Sequence, residues 1–171
     1  MKPSPLETQT LVPCPVADVP DAIQIYVRRI EWMDEKKLRH WNALGYFNFY
    51  PPSYFQERSR RGELFVYRDA TGAIVGAVVL TESDASWSDC ASAYYVHNLV
   101  TDPSVRDVGR TIMNLVLAKA RADGKRFLRL DCDSSSAFLN RYYEELGFEV
   151  VGECAYGGYR GIRRQLALGE K

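Results

Sequence analysis

Two segments of this chain place chemically useful residue types at informative spacing. The first is Leu99-Val100-Thr101-Asp102-Pro103-Ser104-Val105-Arg106-Asp107-Val108-Gly109-Arg110-Thr111. A strand pattern stops at Asp102-Pro103 and a helical one starts at Gly109. The first turn of a helix carries unpaired N–H groups and the positive end of the helix dipole. Gly109 has no Cβ to hold an anion away from the backbone, and Arg106 and Arg110 add positive charge. That chemistry is phosphate binding, although an ordinary strand–turn–helix junction has the same outline. The second segment, about thirty residues on, is Asn140-Arg141-Tyr142-Tyr143-Glu144-Glu145-Leu146-Gly147-Phe148. Tyr143 lies one turn before a helix-ending glycine, and its phenol can give up a proton. Packing for Tyr143 and capping for Gly147 explain the pattern equally well.

Other residues could take a proton or hold a substrate. His97 carries an imidazole whose ordinary pKa is about 6.5, although a hydrogen-bonded core histidine is its plainer role. Asp131 alternates with Leu130 and Cys132, so it faces away from that apolar side; capping the next turn through Ser134 is its plainer role. Trp32, Trp41, Tyr46, Phe47, Phe49, Tyr50, Tyr54 and Phe55 crowd residues 32–62, beside Asp34 and Glu35. Most of these rings should be core. The rest could line a pocket, with Asp34 or Glu35 as its negative charge. Trp87, with Glu82, Asp84 and Asp89, is either a second substrate edge or a solvated loop.

The elements that must position these groups read as follows. A strand is expected over Thr8–Cys14, behind a tail at 1–8. Asp18 should cap a helix with Pro20 in its first turn and Ile23, Tyr26, Val27 and Ile30 on its buried face. Short helices are expected around Glu35–Leu44 and Ser53–Arg61. Leu64–Arg68 and Ile74–Leu80 read as a hairpin, and Ala93–Val100 as another strand. A helix over Gly109–Asp123 presents Ile112, Met113, Val116, Leu117 and Ala120 and stops at Gly124. Then come a strand at Phe127–Cys132, a helix at Ser136–Leu146, and strands at Phe148–Glu153 and Tyr159–Leu168 joined by Gly157-Gly158, with Glu170-Lys171 as a frayed end. This order is α/β, with a central mixed sheet flanked by helices in one domain over 1–171.

Composition narrows the function. With 22 basic and 22 acidic residues in 171, the chain lacks the basic excess that nucleic-acid or membrane-surface binding needs. No apolar run reaches the roughly 18 residues of a membrane helix, and no signal peptide is visible, so a cytoplasmic protein is expected. Cys14, Cys90, Cys132 and Cys154 form no CxxC pair and read as free thiols. With His40 and His97 they lack metal-ligand spacing, and no metal is expected.

Taken together, the two segments resemble the GCN5-related N-acetyltransferase (GNAT) superfamily. Arg106-Asp107-Val108-Gly109-Arg110-Thr111 matches its acyl-CoA motif, Gln/Arg-x-x-Gly-x-Gly/Ala, except at the last position, and Tyr143-Glu144-Glu145-Leu146-Gly147-Phe148 matches its Tyr-x-x-Leu-Gly-Phe fully. The resemblance covers roughly residues 64–153. It implies a mostly antiparallel sheet splayed between its fourth and fifth strands, which a bulge near His97–Leu99 would assist. It implies an acetyl-CoA-dependent N-acetyltransferase that uses acetyl-CoA as cosubstrate, with a small-molecule amine or amino acid as acceptor. Leu99, Val100 and Thr101 would pair with pantetheine, and Asp107, Val108, Gly109, Arg110, Thr111 and Ile112 would hold the pyrophosphate with Arg106. Tyr143 would protonate the CoA thiolate. Ser136 stands where the family often has a cofactor-contacting asparagine. Thr111 replaces Gly or Ala, and its hydroxyl is expected to donate to a phosphate oxygen. Asp131 lies where some members place a base; His97, an acid such as Glu82, or water are the alternatives. Trp32, Asp34, Glu35, Tyr46 and Phe47 fall where the superfamily builds its acceptor site. The resemblance also allows a homodimer through Gly157–Leu168, an acyl-CoA-binding module without catalysis, or a transferase of a longer acyl group.

Overall fold

Alternation of the two hydrophobic periods along the chain becomes seven strands and six α-helices among the described residues. A computed structural model describes residues 10–169, so the expected tail, Glu170-Lys171, and Thr8 and Gln9 of the expected first strand lie outside the described residues. The strand order is β1-β2-β3-β4-β5-β7-β6. The chain divides into two compact units, one holding the chain up to Val79 and Asn98–Val116, the other holding Leu80–His97 and the chain from Leu117.

In the first unit, β1 (Leu11–Pro13) and β3 (Ile74–Thr81) each pair antiparallel with β2 (Leu64–Arg68). Every residue of β3 is buried, so the alternation expected of a half-exposed strand is absent there. Helix α1 (Val19–Glu35) starts after Asp18, with proline in its first turn as expected. Asp18, however, spends its carboxylate on Arg68, 2.5 Å away, instead of on the helix amides. The fully buried face of α1 is Val19, Ala22, Ile25 and Tyr26, with Ile23 and Ile30 packed along its edge.

The helix expected over Glu35–Leu44 is interrupted. Lys37 adopts a positive φ of 56°, and Asn42 folds its side chain back onto the Leu38 carbonyl and the His40 amide. Only α2 (Trp41–Leu44) remains of it, followed by an unexpected turn of helix, α3 (Tyr46–Phe49), and by α4 (Pro52–Arg60).

The second half of β4 (Ala93–Thr101) and the start of α5 (Val108–Ala122) complete this unit. A Cβ on Gly76 of β3 would lie 2.5 Å from Ile112 Cδ1, 3.1 Å from Val108 Cγ1 and 3.2 Å from the Val100 carbonyl. The close seating of α5 on the sheet therefore requires glycine at 76.

In the second unit, the start of β4 runs parallel to β5 (Phe127–Asp133), pairing Ala93–Tyr95 with Phe127–Arg129. β5 pairs antiparallel with β7 (Tyr159–Ala167), and β7 with the exposed edge strand β6 (Glu149–Tyr156). Gly157 and Gly158 both take positive φ, as a two-residue hairpin loop requires. Helix α6 (Ala137–Glu145) follows β5.

Gly76→Ala should cost about 1–3 kcal/mol, the usual penalty for overfilling a packed core. Chemical denaturation would measure it, and an unchanged midpoint would mean that α5 can move away from β3.

Candidate active site

The turn before α5 is set by Asp102. Its buried carboxylate accepts from the Ser104 amide (2.9 Å) and hydroxyl (2.7 Å) and pairs with Arg28 (2.9 Å). Burial alone would push this carboxyl up; the Ser104 bonds and the Arg28 charge outweigh it and hold the pKa below the ordinary value. Asp107 then takes φ 61°, and the first intrahelical bond is Thr111 N–H to the Asp107 carbonyl (3.1 Å). The amides of Val108, Gly109 and Arg110 precede it, at the positive end of the helix dipole. Arg106 and Arg110 are exposed around this turn.

A Cβ on Gly109 would meet only Thr101 Cγ2, at an ordinary 3.7 Å. Internal packing does not demand this glycine, in contrast to Gly76. The Thr111 hydroxyl, expected to face phosphate, donates to the Asp107 carbonyl at 3.1 Å, the back-bond common for threonine in helices. Ile112 is fully buried on the underside of α5.

Ahead of this turn, β4 is distorted. Asn98 has φ 52°, a conformation that non-glycine residues seldom adopt and that asparagine tolerates best. This is the irregularity expected near His97–Leu99. Three hydroxyls surround it: Tyr26 donates to the Asn98 carbonyl (2.5 Å), Tyr54 donates to Oδ1 (2.8 Å), and Nδ2 donates to the Tyr46 hydroxyl (2.7 Å). The phenols of Tyr26 and Tyr46 are buried and resist ionisation for that reason first; that of Tyr54 is pushed up to about 12, again mainly by burial. Farther along β4, Arg29 donates from Nε (3.0 Å) and from its other nitrogen (2.8 Å) to the Thr101 carbonyl.

The rings of residues 32–62 divide. Tyr46 stacks on Trp41 (4.6 Å between centroids) and Tyr26 (5.7 Å), with Phe47 edge-on and Tyr50 and Phe55 adjoining. Trp32 instead lies under the Arg29 guanidinium at 4.8 Å, Asp34 accepts from Asn42 (2.7 Å), and Glu35 is exposed at the end of α1. The structure thus groups Tyr46 and Phe47 in one aromatic layer, whereas Trp32, Asp34 and Glu35 have other neighbours.

The second unit carries the proton-handling candidates. Asp131 is half-buried and accepts from the Tyr159 hydroxyl at 2.7 Å, not from the turn at Ser134. Burial raises its pKa, and the Asp84 charge adds to that; the Tyr159 bond, His97 and Arg163 act in the opposite direction without cancelling the rise. His97 Nε2 lies 3.4 Å from Asp84 Oδ2. Asp84, Trp87 and Asp89 belong to the loop between β3 and β4, which is largely exposed, as one of the two expectations had it, and is tied down by two arginines. Arg129, almost fully buried, donates to both Asp89 oxygens (2.6 and 2.8 Å), and its guanidinium covers Trp87 at 4.4 Å. Arg163 lies over Trp87 too and donates to the Ser86 carbonyl. Glu82 is mostly exposed and pairs with Lys125.

Tyr143 is buried on α6, edge-on to Phe148 (5.7 Å), and Gly147 takes φ 91° as the helix ends. Burial first, then Tyr142, Cys132 and Asp131, raise its phenol pKa, so it holds its proton throughout the neutral range. Ser136 caps α6, its hydroxyl accepting from the Leu139 amide at 3.2 Å. Sequence reading missed Asn98 and Tyr159 and left Asp84 undecided. The one signal for Asn98 was its type, since asparagine is depleted in strands.

The chain belongs to the GNAT acetyltransferase family, whose model matches residues 26–148. No curated protein sequence matches the chain significantly. Among solved structures it is similar to a GNAT-family acetyltransferase from Listeria monocytogenes (TM-score 0.76, 18% identity, 92% of this chain and 93% of that one). It is also similar to the paia N-acetyltransferase of Thermoplasma acidophilum, solved in complex with coenzyme A (TM-score 0.70, 14% identity, 92% and 97%). An N-acetyltransferase from Staphylococcus aureus Mu50 has the same fold (TM-score 0.64, 16% identity, 94% and 98%). Among the described residues, no cluster of three or more His, Cys, Asp and Glu could hold a metal ion, and no helix is long and apolar enough to cross a membrane.

The raised pKa of Asp131 has a definite sign in stability. Between the ordinary aspartate value, about 3.9, and its folded value, the folded chain binds more protons than the unfolded one, so this group's contribution declines as pH rises. Asp131→Asn, which still accepts from Tyr159, should therefore gain stability relative to wild type from acid to neutral pH. Denaturation midpoints of both proteins across that range would show it; a constant difference would contradict the burial of the carboxylate.

Proposed function

We propose that this chain, as one acyl-transferring domain, is an N-acetyltransferase that moves the acetyl group of acetyl-CoA to a primary amine by direct attack. The observation that carries the reading is the start of α5. Three amides precede its first internal bond, Asp107 holds a strained turn, Arg106 and Arg110 are exposed beside it, and Gly109 leaves open a space that packing does not need. A pyrophosphate fits that donor set. Because Arg29 engages the Thr101 carbonyl, strand-like pairing with the pantetheine arm falls to Leu99 and Val100.

The chemistry requires a neutral amine and a protonated leaving group. The lone pair of the amine attacks the thioester carbonyl, the amine proton passes to a base, and the C–S bond breaks as the thiolate takes a proton. His97, 3.4 Å from Asp84, and Asp131, whose pKa burial raises, are the candidate proton acceptors. Tyr143, which keeps its proton at neutral pH, suits the thiolate. The acceptor is a small amine or amino acid, with Tyr46 and Phe47 in the layer that would receive its apolar part.

Thiol release from acetyl-CoA with spermidine, lysine, tyramine and an aminoglycoside tests the reading. At least one amine should give turnover. Tight CoA binding with no turnover on any of them would favour a binding module, and faster release from a longer acyl-CoA would change the donor. Tyr143→Phe should lower kcat about 100-fold, the low end for loss of a general acid, with CoA affinity kept. His97→Ala and Asp131→Asn should each move the limb on which kcat/KM rises with pH. If that limb stays put in both, water carries the proton instead. Gly109→Ala should leave stability unchanged or slightly higher, since alanine favours helix, while weakening CoA binding severalfold.

A further inference from the structure

Asn98 is held far more firmly than a strand irregularity needs. A glycine would supply a positive φ at lower cost. Instead an asparagine occupies the position, and its backbone carbonyl and both ends of its amide are bonded to tyrosines from three different helices, α1, α3 and α4. Two of those tyrosines, Tyr26 and Tyr46, are buried, and all three belong to one packed aromatic layer. Strained non-glycine conformations persist only where the surroundings over-determine them, and they concentrate at functional positions. Asn98 lies directly after His97 and directly before Leu99 in the chain.

We propose that Asn98 is a positioning residue: the Tyr26–Tyr46–Tyr54 clamp on it fixes the kink of β4 and thereby the direction of the Leu99–Val100 backbone edge. The inference rests on the reading above, in which that edge receives the pantetheine arm. The clamp makes the aromatic layer more than packing, because it ties the orientation of three helices to one peptide of the strand. Tyr54, the least buried of the three, also sits under the Arg58 guanidinium at 5.0 Å, so its hydroxyl is aimed by a second contact. The kink then depends on hydrogen bonds that can be removed one at a time without emptying the core.

The test compares Asn98→Gly, Asn98→Ala, Tyr54→Phe and the Asn98→Gly/Tyr54→Phe double variant. CoA binding is read by calorimetry, turnover by acetyl-CoA thiol release with the best amine of the panel, and folding by Tm. Asn98→Gly tolerates the positive φ but leaves the Tyr46 and Tyr54 hydroxyls without their amide partner, so its Tm should fall, though less than that of Asn98→Ala. It should also weaken CoA binding and lower kcat, each about tenfold, because the kink is no longer aimed. Asn98→Ala should show the same losses with a lower Tm. Tyr54→Phe should lose part of the activity alone and nothing more in the Asn98→Gly background, since both act through one bond network. Wild-type Kd and kcat in Asn98→Gly, or additive losses in the double variant, would overturn the inference while the wild type still binds and turns over acetyl-CoA. A wild type that neither binds CoA nor releases thiol would overturn the functional reading and this inference with it.

Discussion

A strand can leave its ladder only if something outside the ladder satisfies the groups it exposes. At Asn98 that something is a set of phenol hydroxyls. Left unpaired in a half-buried strand, a carbonyl and a side-chain amide would each cost about 1–3 kcal/mol. Tyr26, Tyr46 and Tyr54 remove that cost and convert it into a geometric constraint. Much of the first unit is arranged around this requirement. Helix α1 must bring Tyr26 to β4 while burying Ala22 and Ile25, and the same helix sends Arg28 and Arg29 to Asp102 and Thr101. The interrupted run after α1 and the short turn α3 place Tyr46 where a continuous helix over 35–44 would not.

The second unit solves a different problem, a guanidinium inside the sheet. Arg129 is almost fully buried, and a charge so placed is tolerated only when it is paired and its donors are filled. Asp89 takes two of them, Gln165 takes Nε at 2.8 Å, and Trp87 and Phe127 offer ring faces. The pairing depresses the Asp89 carboxyl to about 2, chiefly through its bond to Arg129. The same clasp fixes the loop on which Asp84 sits, so the carboxylate that meets His97 is carried by a segment without regular secondary structure. Arg129 thus has a structural role.

The parts of this architecture that were readable in the sequence are the local ones. The turn into α5, the end of α6 with Gly147, the Gly157-Gly158 hairpin and the β2–β3 hairpin each lie within a short window, where turn chemistry and periodicity operate. What was not readable joins residues far apart in the chain. Tyr26 meets Asn98 across 72 positions, Tyr54 meets it across 44, and Arg129 meets Asp89 across 40. Local propensity carries no information about such pairs. It even misled for Glu35–Leu44, where Asn42 satisfies the turn backbone in competition with the helix. Thr111 and Ser136, the two departures from the family pattern, also make local bonds that the sequence did not show: the Thr111 hydroxyl donates to the Asp107 carbonyl, and the Ser136 hydroxyl accepts from the Leu139 amide.

The two glycines near α5 show how structure separates packing from function at one residue type. Neither adopts a left-handed φ, so neither is needed for a turn. At Gly76 a methyl group would sit 2.5 Å from Ile112 Cδ1, well inside contact distance, so the chain's own interior excludes a side chain. At Gly109 a methyl group would touch one methyl at 3.7 Å, so the interior would accept it and helix propensity would favour it. A residue that is unfavourable for its helix and unneeded by its neighbours points outward for its reason. In the reading proposed above, that direction at Gly109 is the first turn of α5, where backbone amides and the helix dipole would face an anion.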